Sequence, residues 1–374
     1  MTRRALVTGG AGFIGSHLVD ALLAAGDHVR VLDNLLPQAH PSGRPRFVAP
    51  GAELVVGDLR DHDVVAAALV GVDTVFHLGG IVGNGQSMTD VRRYADINVV
   101  GTATLLETMI AKRDQFARLV VASSMVVYGD GAYACGEHGP LAVAPGRSLD
   151  RMRRAQWEPV CPSCGRDVVP IATHESQPLR PTSVYGINKR DQEELALVLG
   201  RAHRIPTIAL RYLNTYGSRQ ALSNPYTGVC AIMAMRMLLN RPPTLFEDGR
   251  QLRDPIHVSD VVAATIAAAR APDVATYRAI NVGGGRPITL LDMAASLGRA
   301  LGRDIAPALS GEFRAGDIRH CYADVGAAES RLSWRARVSF DAGARELASW
   351  AASESPDDRT DAANDELRRL GLLG

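Results

Sequence analysis

The stretch Ala5-Leu6-Val7-Thr8-Gly9-Gly10-Ala11-Gly12-Phe13-Ile14-Gly15-Ser16 restricts the fold more than any other part of the chain. Its first residues read as a buried strand. A turn of small residues follows, and then the periodic run Phe13, Ile14, His17, Leu18, Ala21, Leu22, which reads as a helix. Strand, glycine turn and helix in that order bring backbone N–H groups and a helix N-terminus to one point, and that point suits a pyrophosphate. The glycines stand at Gly9, Gly12 and Gly15, a G-x-x-G-x-x-G spacing in place of G-x-G-x-x-G. Glycines alone are weak evidence, because many turns need them. Here a second strand, His28 to Leu32, ends in Asp33, about 20 residues past the loop, where a ribose-binding carboxylate belongs. The combination predicts a dinucleotide site, with a purely structural glycine turn as the alternative. A carboxylate at Asp33 accepts hydrogen bonds from a ribose 2′-OH and repels a 2′-phosphate, so NAD is favoured over NADP. The alternative for Asp33 is a turn residue ahead of Asn34.

The order of elements extends this reading. Glu53 to Asp58, Thr74 to Leu78, Leu119 to Ser124 and Thr207 to Tyr212 read as further strands, with helices over Val64–Leu69, Met88–Ala111 and Ser183–Arg204 between them. Alternation of this kind predicts an α/β fold: a doubly wound parallel sheet of Rossmann type, with the ligand crevice at the carboxyl ends of the strands. Thr8, Asp33, Asp58, Gly79, Ser124 and Asn214 fall at or just beyond those ends. Past Tyr216 the alternation fades. Residues 1–216 read as the cofactor-binding domain, 217–254 and 284–374 as a smaller substrate lobe, and 255–283 as a return to the first domain. Pro37 to Pro50 reads as a surface loop, Gly129 to Pro181 as a long insert, and Asp357 to Asp365 as a solvated linker before a terminal helix. A net charge of +1 over 374 residues makes no electrostatic case for nucleic acid or an anionic membrane. No apolar run is long enough to span a bilayer, and the N-terminus enters a strand directly, so a cytoplasmic protein is expected.

Tyr185 and Lys189 lie four residues apart on a predicted helix, which puts both on one face. A nearby ammonium favours the phenolate, an oxidised nicotinamide, also positive, adds to this, and the pair is expected to supply a general base near neutral pH. Y-x-x-x-K alone is common by chance. It gains weight from the nucleotide loop upstream and from Ser124 at the end of a strand, placed to hydrogen-bond a reacting hydroxyl. The alternative for Ser124 is a strand-end cap.

With these residues in place the chain resembles the extended short-chain dehydrogenase/reductase family, the NAD-dependent sugar-nucleotide epimerases and dehydratases. The resemblance rests on the glycine loop, Gly57-Asp58, Asn98 with Gly101-Thr102, Ser123-Ser124 with Tyr128-Gly129, Tyr185 with Lys189, and Arg211 to Asn214. Further on it rests on Arg253-Asp254 with His257-Val258, Asn281-Val282-Gly283, and Arg314-Ala315-Gly316-Asp317. It implies that NAD lies against Gly9, Gly12, Phe13, Ile14, Gly15, Asp33, Asn34, Asp58, Leu59, Leu78, Gly79, Gly80, Asn98, Ser123, Tyr185, Lys189 and Tyr212. In that arrangement Asp58 and Leu59 flank the adenine and Lys189 holds the nicotinamide ribose. It implies a sugar-nucleotide site made by Ser87, Ser124, Asn214, Gln220, Val229, Arg253, Arg314 and Asp317, with Asn214, Arg253 and Arg314 on the diphosphate. Two arginines suit a buried pyrophosphate; ordinary surface arginines are the alternative.

Within the family, dehydratases carry an acid pair after the serine. This chain has Met125-Val126-Val127, which transfer no protons. Family reductases generally use NADPH, which Asp33 disfavours. The resemblance therefore implies epimerisation at C4 through a transient ketone, with Ser124, Tyr185 and Lys189 as the catalytic set. Gly85 to Met88, Gly217 to Val229 and the cysteine insert are more narrowly similar to the bacterial dTDP-L-rhamnose 4-epimerase group, which implies a dTDP-deoxyhexose substrate. Gly79-Gly80-Ile81, Leu213 and Asp254-Pro255 depart from that group's pattern. An oxidoreductase releasing a keto-sugar nucleotide and a non-catalytic dinucleotide sensor are the competing readings. The family also implies a homodimer formed by the helices near 88–111 and 183–204.

The insert carries its own chemistry. Cys135-x-x-His138 and Cys161-x-x-Cys164 form two chelating hooks, and Cys164-Gly165 resembles a zinc-ribbon knuckle. Three thiolates and an imidazole suit a closed tetrahedral zinc, which would be structural. Reduced surface thiols or a disulfide are the alternatives. Cys230 and Cys321 sit in apolar surroundings and read as core.

Overall fold

A computed structural model describes residues 3–314, 316–354 and 357–374; Ala315 of the Arg314–Asp317 motif lies outside the described residues. Seven parallel strands form the main sheet. They are β1 (Arg4–Thr8), β2 (His28–Asp33), β3 (Glu53–Val56), β4 (Thr74–His77), β5 (Arg118–Ser124), β6 (Thr207–Tyr212) and β7 (Arg278–Val282), in the order β7-β6-β5-β4-β1-β2-β3. Register is set by side chains that alternate between two buried faces. Ala5 and Val7 of β1 point into one core, and Leu6 between them points into the other. Both faces are covered, so the strands read as continuous apolar runs. The helices Phe13–Ala24 and Val258–Arg270 pack against each other on one side. The helices His62–Ala68 and Gly101–Ile110 cover the other. Leu18 and Leu22 of the first helix are fully buried, and each such side chain contributes about 2 kcal/mol.

The strand order reverses between β1 and β4, which opens a crevice at their carboxyl ends. The chain between Met88 and Ala111 is not one uniform helix. Regular helix begins at Val91, and the turn Asp96–Val100 is widened to π-helix before the helix resumes at Gly101. Asn98 sits in that widened turn, fully buried, with its side chain turned toward the loop after β4.

A second core lies beyond Tyr216, where the helices Val229–Leu238, Leu290–Leu301 and Phe340–Ala352 pack together. The strand Pro255–His257 pairs with Asn214–Tyr216 outside the main sheet, before the chain re-enters it as β7. The insert folds as a three-stranded antiparallel sheet of Ala132–Cys135, Gly139–Pro140 and Val169–Ile171.

The acidic run near the C-terminus differs from the expected solvated linker. Thr360–Arg369 is helical, so Asp361 and Asp365 belong to the helix. The Asp358 side chain is almost fully buried between Arg236 (3.3 Å) and Arg241 (3.2 Å), and Asp361 pairs with Arg236 at 2.6 Å. Two guanidiniums at the end of the Val229–Leu238 helix hold these carboxylates against the second core. Among the described residues no helix is long and apolar enough to cross a membrane.

Candidate active site

The glycine loop forms where β1 feeds its helix. Gly9 has φ +68°, and a Cβ there would stand 2.9 Å from the backbone of Gly79 on β4's loop. A Cβ on Gly15 would meet the Gly9 carbonyl oxygen at 2.2 Å. The loop is thus closed to side chains and lets the turn and helix pack backbone to backbone. No side chain caps the helix that begins at Phe13, so its first amides remain available at the crevice. Both oxygens of Asp33 accept backbone N–H groups, from Ala11 at 3.0 Å and Leu35 at 2.9 Å, which fixes the carboxylate at the end of β2 beside the loop. Asp58 is held well below the usual carboxylate range, chiefly by the Arg60 guanidinium, which bonds both of its oxygens, and it also accepts from Asn34. This donor set and this cradle fit a dinucleotide.

The helix Val184–His203 starts at Ser183, whose hydroxyl accepts the Gly186 N–H and donates to Asn84. It ends at Arg204 in the left-handed region. Its buried stripe carries Tyr185, Lys189, Gln192 and Glu193. Lys189 donates to the Ala122 carbonyl of β5 at 2.8 Å. Glu193 accepts from two Arg211 nitrogens, Nε at 3.0 Å and Nη2 at 2.6 Å, and from the Ser123 hydroxyl at 2.6 Å. Arg211 also donates to the Tyr128 hydroxyl, which donates to Asn281. The motif residues Ser123, Tyr128, Arg211 and Asn281 are therefore one buried network that locks this helix to β5, β6 and β7.

Burial pushes the Tyr185 phenol above its ordinary range, and the neighbouring Ser124 hydroxyl opposes this without overcoming it. Burial also lowers Lys189, to about 8. The depression of Tyr185 expected from the sequence needs the Lys189 cation together with an oxidised nicotinamide; in the protein alone burial sets the phenol's direction. The Lys189 ammonium is bound to the Ala122 carbonyl, and desolvation of the phenolate dominates.

A cavity of about 1050 Å³ runs from the glycine loop past Tyr185 to Val229. Its lining includes Gly9, Gly12, Phe13, Ile14, Gly15, Asp33, Asn34, Asp58, Leu59, Leu78, Gly79, Gly80, Ser123, Ser124, Tyr185, Lys189, Tyr212, Asn214, Gln220 and Val229. Five residues named from the sequence do not line it. Asn98 spends its amide on the Ile81 main chain, accepting at 2.8 Å and donating at 3.1 Å, and so shapes the loop after β4. Ser87 is buried, accepts the Tyr185 N–H at 3.0 Å and donates to Asn84. Arg253 donates to the carbonyls of Leu252, Ile318 and Arg319. Arg314 lies over the Phe246 ring, 4.8 Å from its centroid. Asp317 is half-buried; desolvation alone would raise its carboxyl, but Arg314, Arg253 and Arg147 hold it below the usual range. The last three thus form a cluster of their own at the edge of the second core.

Sequence reasoning did not find Arg44, Arg46, Arg93, Arg219, Trp350, Glu354 or Arg359, which also line the cavity. The Pro37–Pro50 loop is not merely a surface loop. Arg46 makes a two-point ion pair with Glu354, at 2.8 and 3.1 Å, and the guanidiniums of Arg46 and Arg219 lie 5.0 and 5.4 Å from the Phe47 ring centroid.

In the insert, Cys135, His138, Cys161 and Cys164 converge, their ligand atoms all within 4.8 Å of one another. His138 Nδ1 lies 3.5 Å from Cys135 Sγ and 3.6 Å from Cys161 Sγ, and Cys135 and Cys164 are 3.6 Å apart. Bonds of about 2.3 Å in a tetrahedron give edges of about 3.8 Å, so the spacing fits one ion and is too long for a disulfide. Gly165 has φ +70° and donates to the Cys161 carbonyl, closing the knuckle. Cys230 and Cys321 are buried in apolar cores.

The sheet order, the glycine cradle and the Ser–Tyr–Lys wall define a dinucleotide-dependent enzyme of the extended short-chain dehydrogenase/reductase class. The profile of the NAD dependent epimerase/dehydratase family matches residues 5–145 and 162–283, and the chain belongs to that family. A dTDP-L-rhamnose 4-epimerase of Burkholderia thailandensis is 34% identical over 94% of this chain and 96% of its own length. The crystal structure of a UDP-glucose 4-epimerase with UDP-glucose from Thermotoga maritima is similar at TM-score 0.75 and 27% identity, over 93% of this chain and 98% of that one. A Thermus thermophilus UDP-glucose 4-epimerase in complex with NAD is similar at TM-score 0.74 and 28% identity, over 94% and 100%.

Proposed function

We propose that this NAD-dependent nucleotide-sugar 4-epimerase acts on a dTDP-deoxyhexose, inverting C4 through a transient 4-ketone. The observation that carries the reaction type is the shared wall of one cavity. Ser124, Tyr185 and Lys189 line the same cavity as the glycine cradle and as Asn214, Gln220 and Val229. The residues directly after Ser124, Met125 to Val127, offer no acid for elimination. Tyr185 takes the proton of the sugar 4-hydroxyl and later returns it, and Ser124 holds that oxygen by a hydrogen bond. Lys189 anchors the helix that presents Tyr185. NAD, when bound, supplies an acceptor for the C4 hydride that can give it back. The flat ketone can turn only if the sugar is held loosely and the diphosphate tightly.

In this reading residues 1–216 and 255–283 hold the cofactor, and 217–254 with 284–374 form the substrate lobe. The dTDP assignment is supported by the 34% identity to the Burkholderia enzyme and by the Gly217–Val229 segment, of which residues 219–229 line the cavity. The test is incubation with dTDP- and UDP-sugars, followed by NMR and NADH absorbance. A new C4 stereoisomer without net NADH is expected. Accumulated NADH would instead make the protein an oxidoreductase, and neither signal would make it a sensor.

The converged Cys₃His cluster supports a structural zinc in the insert. Metal analysis of protein purified without chelator should give close to one zinc per chain; less than about 0.2 counts against it. Val91, Val100, Ile187 and Val198 are exposed on the two helical segments expected to pair, and they support a homodimer, which sedimentation checks.

A further inference from the structure

The loop between β2 and β3 reaches the second lobe. It leaves Asp33 at the end of β2 and folds as a compact turn. The Ala39 and His40 N–H groups donate to the Leu36 carbonyl, and the Gly43 N–H donates to that of His40. His40 is 7% exposed and turns back on the Asp33 carboxylate at 3.8 Å. The Gln38 amide donates to the Val82 carbonyl, beyond β4, at 3.2 Å. Leu36 to Ser42, with Arg44, Arg46 and Phe47, line the same cavity as the glycine cradle and Asp33. This loop is therefore a built wall at the dinucleotide end of the crevice.

From the second lobe, Trp350 in the Phe340–Ala352 helix and Glu354 just past its end line that cavity too. Arg46 and Glu354 join the two walls through the bonds at 2.8 and 3.1 Å. The Arg46 side chain is 58% exposed and that of Glu354 is 17% exposed. The Glu354 N–H donates to the Ala351 carbonyl, which fixes the carboxylate at the helix end. Arg219 closes in beside them. It pairs with Asp20 of the first helix at 2.7 Å, and its guanidinium approaches the Phe47 ring.

An exposed pair of this kind adds little to stability. Its placement is what marks it, with one partner on each of two units that line one cavity. Both partners belong to the chain, so the bond forms whether or not a ligand is bound. Epimerisation through a ketone also sets a demand. The hydride passed from C4 to the coenzyme has to return to the same sugar. Reduced coenzyme that left between the two transfers would strand an oxidised sugar in the pocket.

We infer that Arg46 and Glu354 form a latch over the crevice that slows the passage of NAD in both directions. Its use in the reaction rests on the epimerase reading above; the latch itself is measured without turnover. Arg46 and Glu354 are positioning residues, which act by holding the loop to the lobe.

Holoprotein carrying isotopically labelled NAD is chased with excess unlabelled NAD, and the label retained after rapid desalting is followed with time. Arg46→Met and Glu354→Gln should each speed its loss about fivefold, the upper end for an exposed pair. Entry of NAD into stripped protein, followed by rapid mixing, should quicken by the same factor. NAD affinity should therefore stay within about twofold of the parent's. The double variant should exchange no faster than either single one, because both remove the same interaction. Arg335→Met breaks another exposed pair, with Glu329, and serves as the control that leaves exchange at the parent's rate. Folded single variants that release NAD at the parent's rate would overturn the latch and leave the epimerase reading standing. So would additive acceleration in the double variant, or weakened affinity with an unchanged entry rate, either of which marks direct contact with the coenzyme. Faster exchange in the variants of a protein that inverts no sugar would uphold the latch and overturn the epimerase reading.

Discussion

The Lys189 ammonium donates to the main-chain carbonyl of Ala122 at 2.8 Å, with both groups inside the protein. That bond ties the helix bearing Tyr185 to β5, the strand bearing Ser124. It also means that the lysine serves first as an anchor, and that the phenol beside it stays above its ordinary range for want of solvation. Deprotonating Tyr185 therefore needs positive charge brought into the crevice. Tyr185→Phe should lower kcat by about 10²–10⁴-fold while sugar-nucleotide affinity and NAD content stay near the parent's. Steady-state kinetics with parallel dTDP binding checks it, and unchanged turnover would refute the assignment of the base.

Glu193 shows what the buried motif residues do. It accepts from Arg211 twice and from Ser123, and its side chain is 2% exposed. Arg211→Met leaves that carboxylate without its cation and should destabilise the fold by about 3–5 kcal/mol. Adding Glu193→Gln should recover much of the loss, because the uncompensated charge is gone. Urea unfolding of the single and double variants measures both.

His77 predicts an acid-sensitive window. It is fully buried, with Nδ1 2.8 Å from the Thr8 hydroxyl and Nε2 2.8 Å from that of Thr102. Burial, aided by the Lys189 charge, lowers it to about 3. Thr102 already donates to Asn98, so its oxygen accepts from Nε2–H, and burial keeps the ring neutral. Between pH 6.5 and 3 the unfolded chain binds a proton here and the folded one does not. Stability thus falls as pH falls through that window, by about 1.4 kcal/mol per pH unit at full effect. His77→Asn should flatten the slope between pH 6 and 5, above the titration of ordinary carboxylates. An unaltered slope in denaturant melts at those two pH values would refute the neutral assignment.

Asp33 predicts coenzyme choice. Its carboxylate is fixed by Ala11 and Leu35 and faces the cavity. Asp33→Ser should weaken NAD binding and relieve repulsion of a 2′-phosphate, shifting the NAD:NADP affinity ratio toward NADP by at least about tenfold. Competitive binding of the two coenzymes to stripped protein reads the ratio directly.

Much of this architecture was legible because it depends on local periodicity and spacing. The glycine turn, the i,i+4 pair Tyr185–Lys189 and the two cysteine hooks each declare themselves within a few residues. Arg46, Arg219 and Glu354 were not legible as neighbours. They meet only because separate loops converge over the crevice, and no local pattern encodes that. The acidic run from Asp357 read as solvated because its partners, Arg236 and Arg241, lie more than a hundred residues away. Asn98 and Ser87 were found by resemblance, yet the structure gives them backbone-shaping bonds, which a motif cannot distinguish from ligand contacts. Arg253 illustrates the same limit, since its guanidinium direction is set by carbonyls at 318 and 319.

The edge strand β7 has one more consequence. It is made from residues 278–282, and it pairs with β6, made from 207–212. Until the ribosome has released the chain past Val282, β6 presents an unpaired edge to whatever else is in the cell. The emerging protein should therefore depend on chaperone cover late in synthesis, and fragments cut short before β7 should aggregate where slightly longer ones stay in solution.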